Sequence, residues 1–158
     1  MGARGETFAK QFEGKVQEAT AVMEKLSDAD WKKVTSAEKW PVGVTAHHIA
    51  SSHQGIGGIM KALADGKSGP NIPMEGLHQM NAQHAKEFAN CTKSETLELH
   101  KKNAAAAAAL LRSIDDAAFD KSSTVFTGAP PMSAAQMAGI LSSHIDEHIG
   151  SIKATVGR

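Results

Sequence analysis

The chain has 158 residues, 17 Lys and Arg against 17 Asp and Glu, one cysteine and eight histidines. A single cysteine excludes an intramolecular disulfide scaffold and a Cys-based zinc finger, and points to a reducing compartment. Zero net charge argues against bulk nucleic-acid binding, and two Trp, five Phe and no Tyr leave little to stack on single-stranded bases. The surplus of imidazoles in a neutral chain is the feature to follow.

Helical periodicity runs through nearly the whole chain. Phe8, Phe12, Val16, Ala19, Met23 and Leu26 recur every three or four residues and form one apolar stripe on a long first helix. Ser27 followed by Asp28 and Asp30 predicts a capped short helix through Trp31 to Val34, and Thr35 to Lys39 reads as loop. Pro41 suits the first position of a helix that runs to Asp65 and stops at Gly66. Gly55, Gly57 and Gly58 inside it mark a weak stretch, a kink or a close approach.

Lys67 to Pro73 is turn-rich, and a helix is predicted from Met74 to Ala89 with Leu77, Met80, His84 and Phe88 on one side. Thr92 with Glu95 matches a capping box that opens a helix to Ile114. A short turn at Asp115 to Phe119 and a loop at Lys121 to Pro131 follow. Ser133 with Gln136 caps a final helix to Val156, with Gly157 beyond it. Leu26–Lys33 and Ile114–Lys121 are faintly alike, a hint of duplication that chance also explains. The expected fold is all-α: one domain over residues 1–158, a four-helix bundle with short helices in its two long connections. The N-terminus lacks the apolar core of a signal peptide, and no stretch approaches the roughly 18 apolar residues of a membrane span, so a soluble cytoplasmic protein is expected.

His144 and His148 stand one turn apart on one face of the last helix, a spacing that can chelate one metal ion. The zincin glutamate is absent, because Glu147 precedes the second histidine rather than following the first. A third ligand must come from another helix. Around the stripe Ile49, Ser52, Ile56, Ile59, Met60 and Leu63, His47 falls on the far side and should face solvent. His48 and His53 lie on the two borders, and spacing does not choose between them. His78 and His100, and less firmly His84, read as members of solvated faces; Asn81, Gln83 and His84 are within reach of a pocket.

Trp40-Pro-Val-Gly-Val-Thr-Ala-His-His48-Ile and His144-Ile-Asp-Glu-His148-Ile-Gly-Ser-Ile152 resemble the two signature segments of the DinB-like (YfiT-like) helical-bundle superfamily, and the likeness extends from Phe8 to Val156. The resemblance implies an up-down-down-up bundle holding a divalent metal through three histidines, here His48, His144 and His148. The Trp-to-His spacing is what selects His48. Val42-Gly43-Val44 and Ile149 depart from the pattern, which often has a charged helix start and a further histidine at those places.

The resemblance also implies thiol-dependent S-transferase, thiol-dependent isomerase or hydrolase activity on a small-molecule electrophile. The cofactor would be zinc, nickel or iron, with a low-molecular-weight thiol as a second candidate. Glu147 is the candidate to orient a ligand or act as a catalytic base, against the plainer reading of a solvated helix glutamate; Asp146 should point away, and Cys91 reads as a small buried residue rather than a reacting thiol. The alternative is a non-catalytic bundle that binds a small ligand or forms a homodimer. No nucleic-acid or membrane partner is expected.

Overall fold

The computed structural model describes residues 2–157. Helix α1 (Ala3–Glu24) buries Ala9, Phe12, Ala19 and Met23 on its apolar stripe. Helix α2 (Asp28–Lys32) is closed by a reciprocal cap: the Asp30 N–H donates to Ser27 Oγ at 3.0 Å and the Ser27 N–H to Asp30 Oδ2 at 3.1 Å. It ends short of Val34, which is exposed and bridges Pro41. Pro41 itself caps α3 (Val42–Ala64) from one position outside, and Gly66 adopts φ +77° beyond its end.

Helix α4 (Met74–Glu87) buries none of its residues. Helix α5 (Lys93–Ser113) starts on Thr92, whose hydroxyl accepts the Glu95 N–H at 3.2 Å. A 3-10 turn (Asp116–Asp120) seats Phe119 in the core. Beyond it, the expected loop at 121–131 is bounded by a two-residue antiparallel ladder between β1 (Ser122–Ser123) and β2 (Met132–Ser133). Its pairs, Ser122 with Ser133 and Ser123 with Met132, join residues eleven and nine apart, outside any local period. Helix α6 (Ala134–Val156) opens on the reciprocal Ser133–Gln136 cap and closes on Gly157 at φ +81°.

Helices α1, α3, α5 and α6 form the bundle. Arg112 near the end of α5 reaches Glu6 and Glu13 of α1, while His100 earlier in α5 meets Thr20 later in α1, so these two run antiparallel. Asn103 donates to the Ala50 carbonyl at 3.0 Å and Ala107 lies against Gly57, so α3 and α5 run parallel. The Ala134 N–H bonds the Lys121 carbonyl, and Lys121 shares a cleft with Ala64 at the end of α3, so α6 returns antiparallel to α3. The order is up-down-down-up. The alanine run serves this packing: Ala104, Ala107 and Ala108 are buried and let α5 approach α3 at Gly57, the one interior glycine of the three with a close neighbour. No described helix is long and apolar enough to cross a membrane.

The uncharged start of α3 is buried at Val42, Gly43 and Val44. A Cβ at Gly43 would overlap the Trp31 indole, which is fixed by donating to the Cys91 carbonyl at 2.9 Å. Gly43→Ala is expected to destabilise the fold by about 1–3 kcal/mol through overpacking. Gly55→Ala, at an open site on the same helix, should stabilise by up to about 1 kcal/mol. Urea midpoints of the two variants check the opposite signs.

Candidate metal centre

His48 on α3 and His144 and His148 on α6 each offer one ring nitrogen, and these atoms all lie within 4.8 Å of one another. His48 Nε2 and His144 Nε2 are 3.1 Å apart. Ring centroids are 4.9 Å apart for His48 with each of its partners and 4.5 Å for His144 with His148. Tetrahedral zinc with nitrogen ligands at about 2.0–2.1 Å sets its donors about 3.4 Å apart, between the 3.1 Å of the His48–His144 pair and the 4.8 Å limit of the trio, so small side-chain adjustments would let the three hold a divalent ion. Burial, reinforced by the neighbouring imidazoles, depresses His48 to about 3, and burial with His148 beside it depresses His144 to about 4. Both rings are therefore neutral and carry a free lone pair at ordinary pH. The donor set fits a borderline metal such as zinc, nickel or iron.

Trp40 packs edge-on against His48 at 5.2 Å, and His84 of α4 does so from another side at 5.6 Å. His84 is the α4 side chain that reaches this centre. Its Nε2 meets His47 Nδ1 at 2.8 Å. His47 is thus not solvent-facing as expected: it is 6% exposed and stacks on Phe88 with centroids 4.0 Å apart. The far side of α3 is covered by the segment that links α4 to α5, which a single-helix projection omits.

His53 turns away from the trio into the space between α1 and α5. Its Nε2 meets His100 Nδ1 at 3.0 Å and its ring edge meets Phe12. His100 corrects a second expectation, since it is fully buried rather than solvated. Its charged sequence neighbours hide the spacing Thr96, His100, Asn103, Ala107, Leu111, a buried helical face that could have been read. His78 is exposed, as expected.

Glu147, expected to orient a ligand or act as a base, is exposed on the outer side of α6, and the neighbouring Asp146 pairs with Lys15 at 3.1 Å. The carboxylate that meets a histidine of the trio belongs to Glu38. Its Oε2 lies 2.6 Å from His148 Nδ1, and its Oε1 accepts from Ser151 Oγ at 2.6 Å. Burial pushes the Glu38 carboxyl upward, but the hydrogen bonds from Ser151 and His148 outweigh it and hold the group below the usual carboxylate range. Glu38 lies in a loop without periodicity, so no spacing in the sequence marks it. Cys91 is half-buried with its thiol at the Gly43 carbonyl, and burial pushes that thiol up, which fits an unreactive residue.

The family model of the DinB superfamily matches residues 11–152, most of the chain. The chain belongs to the DinB superfamily. No curated protein matches it by sequence. Among solved structures, this DinB-superfamily chain is similar to YfiT from Bacillus subtilis, described as a probable metal-dependent hydrolase with an unusual four-helix bundle topology. The TM-score is 0.74 at 18% identity, over 98% of this chain and 86% of that one. It is also similar to the mycothiol-dependent maleylpyruvate isomerase, with a TM-score of 0.74 at 14% identity. A histidine-to-alanine mutant of that isomerase gives 0.75 at 13%. The chain spans 60% of the isomerase's length. At these identities the likeness is one of fold.

Proposed function

We propose that this chain is a metal-dependent enzyme that holds one divalent ion through His48, His144 and His148. In this reading it acts as a thiol-dependent S-transferase, or a related hydrolase, on a small electrophile. The observation that carries the reading is the convergence of three ring nitrogens within 4.8 Å in a buried setting that keeps His48 and His144 neutral. A divalent ion with open positions supplies Lewis acidity that makes an anion of water or a thiol near neutral pH. The chain's own groups then set the surroundings: Trp40 shields one side of His48, and His84 brings a neutral imidazole within reach of a bound molecule. Cys91 sits by Gly43 with a raised pKa, so a reacting thiol comes from outside. The thiol dependence of the similar isomerase and the hydrolase description of YfiT support the two reaction classes.

The test is metal content followed by turnover. Protein dialysed against zinc, nickel or ferrous iron is expected to retain about one equivalent of metal. The loaded protein should then transfer a low-molecular-weight thiol to a small electrophile or hydrolyse an activated ester. Absence of retained metal overturns the site. Retained metal without conversion in either screen overturns the enzyme reading and leaves a non-catalytic binding bundle.

A further inference from the structure

We propose that Glu38 is the positioning residue of this centre: its carboxylate fixes His148 with the ring proton on Nδ1 and leaves Nε2 as the lone-pair donor beside His48 and His144. Glu38 is an acceptor on both sides. Oε1 takes the Ser151 hydroxyl proton at 2.6 Å, and Oε2 stands 2.6 Å from His148 Nδ1. His148 and Ser151 are three residues apart on α6, so the carboxylate straddles one face of that helix. Since an ionised carboxylate only accepts, the short contact requires a proton on Nδ1.

The loop that delivers Glu38 is built independently of any ligand. The Thr35 N–H bonds the Trp40 carbonyl at 2.9 Å, the Lys39 N–H bonds Thr35 at 3.1 Å, and the Val42 N–H bonds Lys33 at 2.7 Å. Lys39, next to Glu38, takes the left-handed conformation at φ 64°, part of the tight turn that carries Glu38. The Glu38 side chain is only 8% exposed beside His148. A carboxylate behind a histidine fixes the ring's tautomer and orientation and raises its basicity as a ligand. The consequence for metal affinity rests on the metal reading above; the tautomer does not.

The experiment uses the full chain as wild type, Glu38→Gln, Glu38→Ala and Ser151→Ala. Nitrogen-edited NMR of the metal-free proteins, with His148 assigned by its loss in His148→Gln, is expected to show Nδ1–H in wild type. That signal should give way to a tautomer mixture in Glu38→Ala. Zinc affinity, measured by competition with a chromophoric chelator, should fall about 10–100-fold in Glu38→Ala. Glu38→Gln keeps an acceptor without the charge and should fall less, and Ser151→Ala should stay within about threefold of wild type. A wild-type proton on Nε2, or zinc affinity unchanged in both Glu38 variants, overturns the proposal. Nδ1–H present and lost on substitution, in a wild type that binds no zinc, supports the positioning role and overturns the metal reading alone. Where Glu38→Ala does not fold, Glu38→Gln decides.

Discussion

His144→Ala is expected to lose between about a hundredfold and a thousandfold in zinc affinity while its metal-free fold survives. Four-ligand zinc sites in small domains bind with about 10–16 kcal/mol, so one ligand carries about 3–4 kcal/mol, which is that range of affinity. Survival of the fold follows from position. His144 is only half-buried, and the core contributions of α6 come from Leu141, Ile145 and Ile152, which the substitution leaves in place. Thermal unfolding with and without zinc separates the two effects. Zinc at a hundred times its Kd stabilises the wild type by about 2.7 kcal/mol, and the same zinc should leave the melting temperature of His144→Ala nearly unmoved. His53→Ala gives the converse result: it empties a fully buried site in the core and lowers stability by several kcal/mol, yet keeps the zinc-induced shift, because its ring faces His100 and Phe12. A full zinc response in His144→Ala would show that the three histidines are not the binding site.

How much of this centre the sequence discloses depends on whether a contact is local. The Ser133–Gln136 cap and the His144–His148 pair are set by spacing within one helix, and both are found where the periodicity puts them. The choice of His48 over His53 is not local. Both border the same stripe, and only the Trp40 spacing shared with the family separates them. The structure gives the reason: His48 faces α6 while His53 faces α1 and α5, on different sides of a helix whose first half, residues 42–50, is packed all round. The same crowding buries His47 under Phe88, where a projection of α3 alone leaves it in solvent. Glu38 shows the limit most plainly. Its partner is 110 residues away, and its role depends on where an aperiodic loop crosses α6. Glu147 stands next to His148 in sequence, but adjacent residues on a helix point about 100° apart, which turns its carboxylate outward.

Stability is expected to fall steeply as the pH drops from about 6.5 toward 3, and the His53–His100 pair is a principal cause. The pair belongs to a directed chain of hydrogen bonds inside the core. Thr20 Oγ1 donates to the Val16 carbonyl at 2.7 Å, so its oxygen accepts from His100 Nε2–H at 3.1 Å, and His100 Nδ1 then accepts from His53 Nε2–H at 3.0 Å. In that chain His100 Nδ1 is the acceptor, so a further proton there would meet the His53 Nε2–H. Burial accordingly depresses His53 to about 3, with His100 and His144 adding to it, and burial also lowers His100. The sign follows from proton counts. Below about 6.5 the unfolded chain takes up protons that the folded chain refuses, so stability rises with pH through this window and is complete above it. Each pH unit costs about 1.4 kcal/mol per excluded proton, so at pH 4.5 His53 alone accounts for on the order of 3 kcal/mol, a large part of a small domain's total. His48 and His144 act in the same direction, so the pair must be isolated by substitution. The double variant His53→Leu/His100→Leu leaves Thr20 bonded to Val16 and fills the same space with apolar atoms, which at neutral pH should change stability by no more than about 2 kcal/mol. Urea midpoints between pH 7 and 4.5 should decline distinctly less in the double variant than in wild type. Parallel declines would place the acid-sensitive protons on other residues and leave the buried pair without a part in the loss.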